Sequence, residues 1–288
     1  MFGNRGSDFR PDYSKLGVLC AIFPDPVLAM TATANYQDRK YIMESLGLKK
    51  CQTVIGNPDR RNIYYQKIFR KGQDLDTIEG ILRPIALNLL KDKIHYPLTV
   101  IYVPLKWCGF AYKFFESVLG SLQYYPQNCS EISENRLFAQ FHASQTKSMK
   151  DQILGQLCSS VLSTVRVIFA TVAIGMGVDI PSIWQLIHIG PPCSLKAYFQ
   201  ETGRAGRDGK PAQAILYYNN RDIGKNRTGM QDEMRSFCKS NDSCLRCQLL
   251  ASLDLSETQP IKPMHACCNI CKQKCTCPEC LCNLVEKL

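Results

Sequence analysis

Between Pro97 and Tyr218 short apolar runs alternate with longer amphipathic stretches, and this alternation restricts the fold more than any other feature of the chain. LTVIYVP (98–104) reads as a strand, Lys106 to Leu119 carries helical spacing, and RLFAQFHA (136–143) ends in a second strand. SQTKSMKDQILGQLCSSV (144–161) reads as a helix capped by Ser144. VRVIFAT (165–171), WQLIHIG (184–190) and AQAILYY (212–218) supply three more strands. Strands that alternate with helices predict a parallel sheet covered on both faces, so the expected class is α/β, with its core from roughly Asp74 to Ile223.

The flanks differ from this block. VLAMTA (27–32) reads as a strand and YQDRKYIMESLGL (36–48) as a helix, capped by Asn35 and ended near Gly47. One strand and one helix make no stable core, so residues 1–66 read as the end of a domain that begins upstream. The expected organisation is that remnant, a sheet domain over 67–224, and a polar, Cys-rich module over 225–288.

Ten of the 16 cysteines lie between Cys238 and Cys282. A disulfide scaffold belongs to short secreted chains, whereas this one has 288 residues and an N-terminus without an apolar signal region. A local zinc site is the better reading. Net charge is +10, and residues 1–71 hold 12 Lys/Arg against 6 Asp/Glu, a balance that suits a polyanion such as nucleic acid as well as plain solubility. No apolar run is long enough to cross a membrane, so no membrane partner is expected.

The sharpest chemical signal is YFQETGRAGRDG (198–209), with Arg204 and Arg207 three apart in a Gly-rich segment. Glycine lets backbone approach another surface, and a planar guanidinium can grip a phosphate through two hydrogen bonds.

That string resembles the sixth helicase motif of the RecQ family of DNA helicases. FATVAIGMGVDIP (169–181) resembles the fifth motif, LAMTATA (28–34) the third, and SDFRPDYSKLGVLCAIFP (7–24) the stretch joining the second to the third. FHASQTKSMKDQILGQ (141–156) is similar to the family's His-Ala element and the helix after it. GRAGRDG also separates the chain from DEAD-box RNA helicases, which usually carry GRTGR there.

The resemblance implies a RecA-like motor domain, preceded by part of a first such domain and followed by a small helical zinc-binding module. It implies ATP with Mg²⁺ as cofactor and DNA, single-stranded or at duplex junctions, as partner. Arg207 resembles the arginine finger, with Arg204 and Gln200 as partners in sensing the γ-phosphate. Gly177 and Asp179 resemble residues lining the nucleotide cleft. Thr171 resembles a DNA-backbone contact, and Thr31 and Thr33 resemble the motif coupling hydrolysis to strand movement. His142 reads as a DNA contact or as an ordinary packed histidine. Trp107, Phe110, Tyr112 and Phe114 read as helix-face core residues before base-stacking ones.

In the Cys-rich module the resemblance favours Cys244, His265, Cys268 and Cys271 as Zn²⁺ ligands, with Cys267, Cys275 or Cys247 as replacements for one of them. Cys275, Cys277, Cys280 and Cys282 fall outside the usual family pattern, and read as a second zinc site or an unstructured tail.

Departures from the family are equally plain. NRGSDFRP stands where QWGHDFRP is usual, with Arg5 for Trp and Ser7 for His. The fourth motif reads YVPLK (102–106), and Ile180 replaces a lysine. No G-x-x-x-x-G-K-[ST] string occurs, since Gly209–Lys210 precedes Pro211 and Gly224–Lys225 precedes Asn226. No Asp-Glu-x-His box occurs either. The expectation is an incomplete ATP-dependent 3′–5′ DNA helicase core acting in recombination and repair, unlike an enzyme able to hydrolyse ATP alone. The alternative is a non-catalytic protein that binds DNA, or that modulates a full-length helicase or repair proteins. Its location would be the nucleus in a eukaryote and the cytoplasm otherwise.

Overall fold

The computed structural model describes residues 15–23, 27–72, 74–159, 163–171, 180, 183–255 and 261–280. The chain divides into two compact units, Met1–Asp59 with Cys247–Gln259, and Arg60–Arg246 with Pro260–Leu288.

The larger unit is built on a six-stranded sheet of β1 (Ile63–Phe69), β2 (Thr99–Tyr102), β3 (Phe138–Phe141), β4 (Val167–Ala170), β5 (Gln185–Ile189) and β6 (Ala212–Tyr218), in the order β1-β6-β5-β2-β4-β3. Every pairing is parallel, as the α/β reading predicts. β2, β4 and β5 are buried at every position. That explains why they read as continuous apolar runs, since strands inside a parallel sheet have both faces covered.

β1 was not legible as a strand. Its buried positions alternate, and one of them is Lys67, which breaks the apolar pattern. Lys67 is tolerated there because its Nζ donates to Phe237 O at 2.6 Å and to Ser240 O. The expected domain boundary between residues 66 and 67 therefore falls inside a strand, and the larger unit starts at Arg60.

Helices α3 (Leu75–Asp92), α4 (Leu105–Leu119), α5 (Lys147–Cys158) and α6 (Leu195–Thr202) connect the strands. Asp74 caps α3 by accepting from Thr77 N at 2.7 Å. Ile78, Leu82, Ala86 and Leu89 recur at helical spacing on its buried face. α4 buries Phe115 against Phe138 and Phe169, with ring centroids 5.6 and 4.9 Å apart. Phe114 is buried, and Trp107, Phe110 and Tyr112 pack against the same core, so these aromatics are core residues. α5 starts later than expected. Its cap is Thr146, whose hydroxyl accepts from Met149 N, because Gln145 N bonds back to His142 O and holds residues 142–145 in a turn.

The Cys-rich segment is not a separate unit, contrary to the expected boundary after residue 224. It docks along the edge strand β1. Tyr65 N donates to Cys267 O at 3.2 Å, Lys67 N donates to Asn269 Oδ1, and Asn269 Nδ2 donates to Lys67 O. Tyr65 and Cys268 form a parallel bridge. An edge strand with unpaired backbone groups is a template for unwanted pairing, and this segment covers it. Three short helices, α7 (Asp232–Lys239), α8 (Leu245–Ala251) and α9 (Asn269–Gln273), carry this part of the chain.

The smaller unit holds α1 (Gly17–Ile22) and α2 (Tyr36–Ser45). Asn35 and Asp38 form a reciprocal capping box on α2. Gly47, at φ +63°, ends it in the left-handed conformation. The strand expected at 27–32 is absent. Leu28 and Met30 are 80% and 84% exposed, and no described strand pairs with the segment. Backbone donors and acceptors there have no ladder to join.

Candidate functional site

The arginine motif follows β5. Ser194 caps α6 by accepting from Ala197 N at 3.1 Å. Leu195, Tyr198, Phe199 and Thr202 bury one side of the helix, while Gln200 is exposed. The chain then turns sharply. Arg204 N bonds to Glu201 O, Ala205 N to Thr202 O, and Gly206 N to Ile183 O at 2.8 Å. Gly206 sits at φ +57°. A Cβ there would lie 2.5 Å from Asn62 Nδ2 and 2.8 Å from Lys210 O, so only glycine fits.

Two residues outside the motif hold this turn. Arg60 donates to Gly203 O at 3.1 Å, Ala205 O at 3.2 Å and Gly206 O at 2.5 Å. Asn62 Nδ2 donates to Gly206 O at 2.8 Å and Lys210 O at 2.7 Å. Neither residue carries a local signal in the sequence, because both act through carbonyls about 140 positions away. The two arginines differ in setting: Arg204 is buried at 8% exposure, and Arg207 is exposed.

Beside the C-terminal ends of β2 and β5 lies a cavity of about 410 Å³. Its walls include Tyr102, Lys106, Thr171, His188, Arg221 and Arg227. This edge is where parallel α/β sheets place ligands. His188, 2% exposed, holds Glu201 at 2.7 Å through Nε2 and stacks on Tyr102 at 4.7 Å. Arg70 clamps Asp222 with Nη2 at 3.0 and 2.8 Å from its two oxygens, both side chains being nearly buried. Thr171 lies at the end of β4 and opens on this cavity with Lys106, Arg221 and Arg227. Glu201 also lines it, so α6 joins the cavity to the arginine turn.

The remaining expected residues fall elsewhere. His142 is partly buried, with Nε2 3.1 Å from Gln140 Oε1, and does not line that cavity. Thr31 and Thr33 lie in the smaller unit, where Thr33 N approaches Thr31 Oγ1 at 3.4 Å. Gly177 and Asp179 lie outside the described residues, as do Arg5, Ser7 and Cys282.

The cysteine grouping corrects the expected ligand set. Cys244, Cys267, Cys268 and Cys271 converge, with their sulfurs all within 4.8 Å of one another. Cys244 and Cys267 sulfurs are 3.4 Å apart. His265 belongs to a second group with Cys275, Cys277 and Cys280. The physical reason is the 3₁₀ turn Met264–Ala266, after which Cys267 O accepts from β1. Pairing with β1 places Cys267 and Cys268 in one group, while His265 lies on the turn before it. Cys247 joins neither group.

The chemistry of the first group fits a zinc ion. Four thiols make a closed set for a borderline-soft divalent cation. Hydrogen bonding from Cys244, then from Cys267, pulls the Cys268 thiol well below its usual range. Burial pushes Cys271 up to about 12. A cation would relieve that crowding of thiols by taking all four as thiolates.

Comparison with known proteins agrees with this architecture. The helicase conserved C-terminal domain family matches residues 114–209. The ATP-dependent DNA helicase RecQ of Haemophilus influenzae is 33% identical over 214 residues, covering 74% of this chain and 30% of its own length. The ATP-dependent DNA helicase Q1 of Rattus norvegicus is 32% identical over 259 residues, covering 86% and 38%. The RecQ-like DNA helicase BLM of Xenopus laevis is 29% identical over 300 residues, covering 96% and 19%. The chain thus spans well under half the length of the relatives it matches. The likeness covers most of this chain, far more than a single motif, and supports its reading as the C-terminal half of a RecQ-family helicase core.

Proposed function

We propose that this chain forms the second motor domain and metal module of an ATP-dependent DNA helicase that moves 3′ to 5′ and acts in recombination and repair. The observation that carries this reading is the arginine turn. Arg207 is exposed on a backbone fixed by Arg60, Asn62 and Gly206. A guanidinium held at a set position can stabilise charge on a transferring γ-phosphoryl group at no cost in reorganisation. Gln200 is exposed on the last turn of α6 and Arg204 is buried; by the family resemblance both are partners of Arg207 in sensing the γ-phosphate. By the family resemblance, Gly177 and Asp179 contribute to nucleotide binding. Hydrolysis also needs a phosphate loop and a carboxylate for Mg²⁺, and a domain carrying them would have to complete the site.

Thr171, with Lys106, Arg221 and Arg227 nearby, offers a hydroxyl and positive charge to a DNA backbone. Thr31 and Thr33 couple hydrolysis to movement, and His142 is a further DNA contact. Cys244, Cys267, Cys268 and Cys271 hold a structural Zn²⁺, which when bound fixes the segment covering β1. In a eukaryote the enzyme works in the nucleus.

The test joins this chain to the phosphate-loop domain of a relative and measures DNA-stimulated ATP hydrolysis and unwinding from a 3′ overhang. Hydrolysis that disappears in Arg207→Ala while salt-sensitive DNA binding persists is the expected result. Equal loss of both would sink the finger assignment. Binding without turnover in the unmutated fusion would favour a non-catalytic DNA-binding protein.

A further inference from the structure

We propose that His265, Cys275, Cys277 and Cys280 form a second zinc site, separate from the four-cysteine group beside it. The three sulfurs surround one ring nitrogen: His265 Nδ1 lies 3.2 Å from Cys277 Sγ, 3.3 Å from Cys280 Sγ and 3.7 Å from Cys275 Sγ. All four ligand atoms lie within 4.8 Å of one another. Zn–S bonds of about 2.3 Å and Zn–N bonds of about 2.0 Å at tetrahedral angles give a nitrogen–sulfur edge of about 3.5 Å. The observed separations bracket that edge.

Hydrogen bonding does not account for the cluster. A ring nitrogen carries either one proton or one lone pair, so it makes one such bond rather than three. Disulfides do not account for it either, because all three cysteines are unbridged. A cation at the centre satisfies three sulfurs and one nitrogen at once.

The outer contact points the same way. His265 Nε2 lies 3.4 Å from Glu279 Oε2. A carboxylate on the far nitrogen fixes the tautomer that leaves Nδ1 as a lone-pair donor, the usual arrangement around metal-bound histidine. Four protein ligands with no open position describe a structural site. Each thiol releases its proton to solvent on binding, and no redox change is involved.

The ligands of the two sites interleave along the chain. His265 precedes Cys267, Cys268 and Cys271 of the first group, while Cys275, Cys277 and Cys280 follow them. The second ion therefore ties together both ends of the segment that lies against β1. Past Cys271 the backbone keeps turning locally, with Cys275 N bonded to Lys272 O and Cys280 N to Cys277 O.

The test is the metal content of the purified 288-residue chain by elemental analysis, with ¹¹³Cd NMR of the cadmium-exchanged protein. Two zinc ions per chain are expected, and two cadmium signals, one from a four-sulfur site and one from a three-sulfur, one-nitrogen site. Cys277→Ser and His265→Phe should each leave one zinc and the four-sulfur signal. His265→Cys should keep two ions and convert the second signal to a four-sulfur type. Cys268→Ser disturbs the other site, so the two assignments fail independently. One zinc in the unmutated chain, a disulfide among Cys275, Cys277 and Cys280 after alkylation and mass analysis, or two ions retained in Cys277→Ser would overturn the second site. If Cys277→Ser is insoluble, the count and the cadmium spectrum of the unmutated chain decide alone.

Discussion

The Arg60 guanidinium lies 2.5 Å from Gly206 O and also reaches the carbonyls of Gly203 and Ala205. Gly206 is the residue between Ala205 and Arg207, so Arg60 grips the backbone from which the exposed arginine projects. Arg60→Ala should leave three carbonyls without their charged donor, at roughly 1–3 kcal/mol of stability. In a complete enzyme it should lower kcat for ATP hydrolysis more than it weakens DNA binding. Arg60→Lys should restore little, because a lysine cannot fork onto several acceptors. Full rescue by lysine would mean that charge, not geometry, is what the turn needs.

The two motif arginines should separate in stability measurements. Arg207 is exposed, so Arg207→Ala should change unfolding free energy by no more than about 0.5 kcal/mol. Arg204 is buried, and Arg204→Ala should destabilise by about 1–3 kcal/mol through lost packing and hydrogen bonding. Urea denaturation of both variants checks the split. Equal effects would show that the turn does not hold the two side chains in different environments.

Arg70 and Asp222, which both line the cavity, form a nearly buried ion pair in which Arg70 Nη2 reaches both carboxylate oxygens. Removing one partner leaves a buried charge, so Asp222→Ala should cost about 3–5 kcal/mol. The double variant Arg70→Met/Asp222→Ala should lose less than the sum of the two single changes. A double-mutant cycle with no coupling would place the pair effectively in solvent.

Burial holds the Lys67 ammonium down to about 8 from its usual 10.5. Below pH 8 the amine is charged in both folded and unfolded chains, and the cost of burying that charge is fully present. Between pH 8 and 10.5 the folded amine is neutral while the unfolded one still holds its proton. Unfolding then takes up a proton, so stability contributed by this group rises with pH. The difference in unfolding free energy between the unmutated chain and Lys67→Met should climb across that window, by up to about 1.4 kcal/mol per pH unit. A flat difference would show that Lys67 titrates normally.

Removal of metal should act on the sheet edge as well as on the cysteines. Cys268 bridges to Tyr65, and Cys267 O accepts from Tyr65 N. Chelation, or Cys268→Ser, should lower the melting temperature and expose the amides of Ile63–Phe69 to hydrogen exchange before those of β5. Uniform exchange across the sheet would mean that the cysteine segment does not protect β1.

The sequence alone determined the parallel α/β class, five of the six strands and the Gly-Arg segment, while the family resemblance put Cys244 with Cys268 and Cys271. These are legible because apolar periodicity and Gly-Arg spacing are local properties of the chain. The tertiary structure decided the rest. β1 was hidden because Lys67 is buried against Phe237 O and Ser240 O, partners about 170 positions away. Arg60 and Asn62 act through distant carbonyls and leave no pattern of their own. The strand expected at 27–32 failed for the opposite reason: its β-favouring residues find no ladder among the described residues. Cys267 takes the place expected for His265, and His265 joins Cys275, Cys277 and Cys280 instead, because pairing of Cys267 and Cys268 with β1 is a long-range contact. The family resemblance names the candidate ligands, but only the docking surface sorts them into sites.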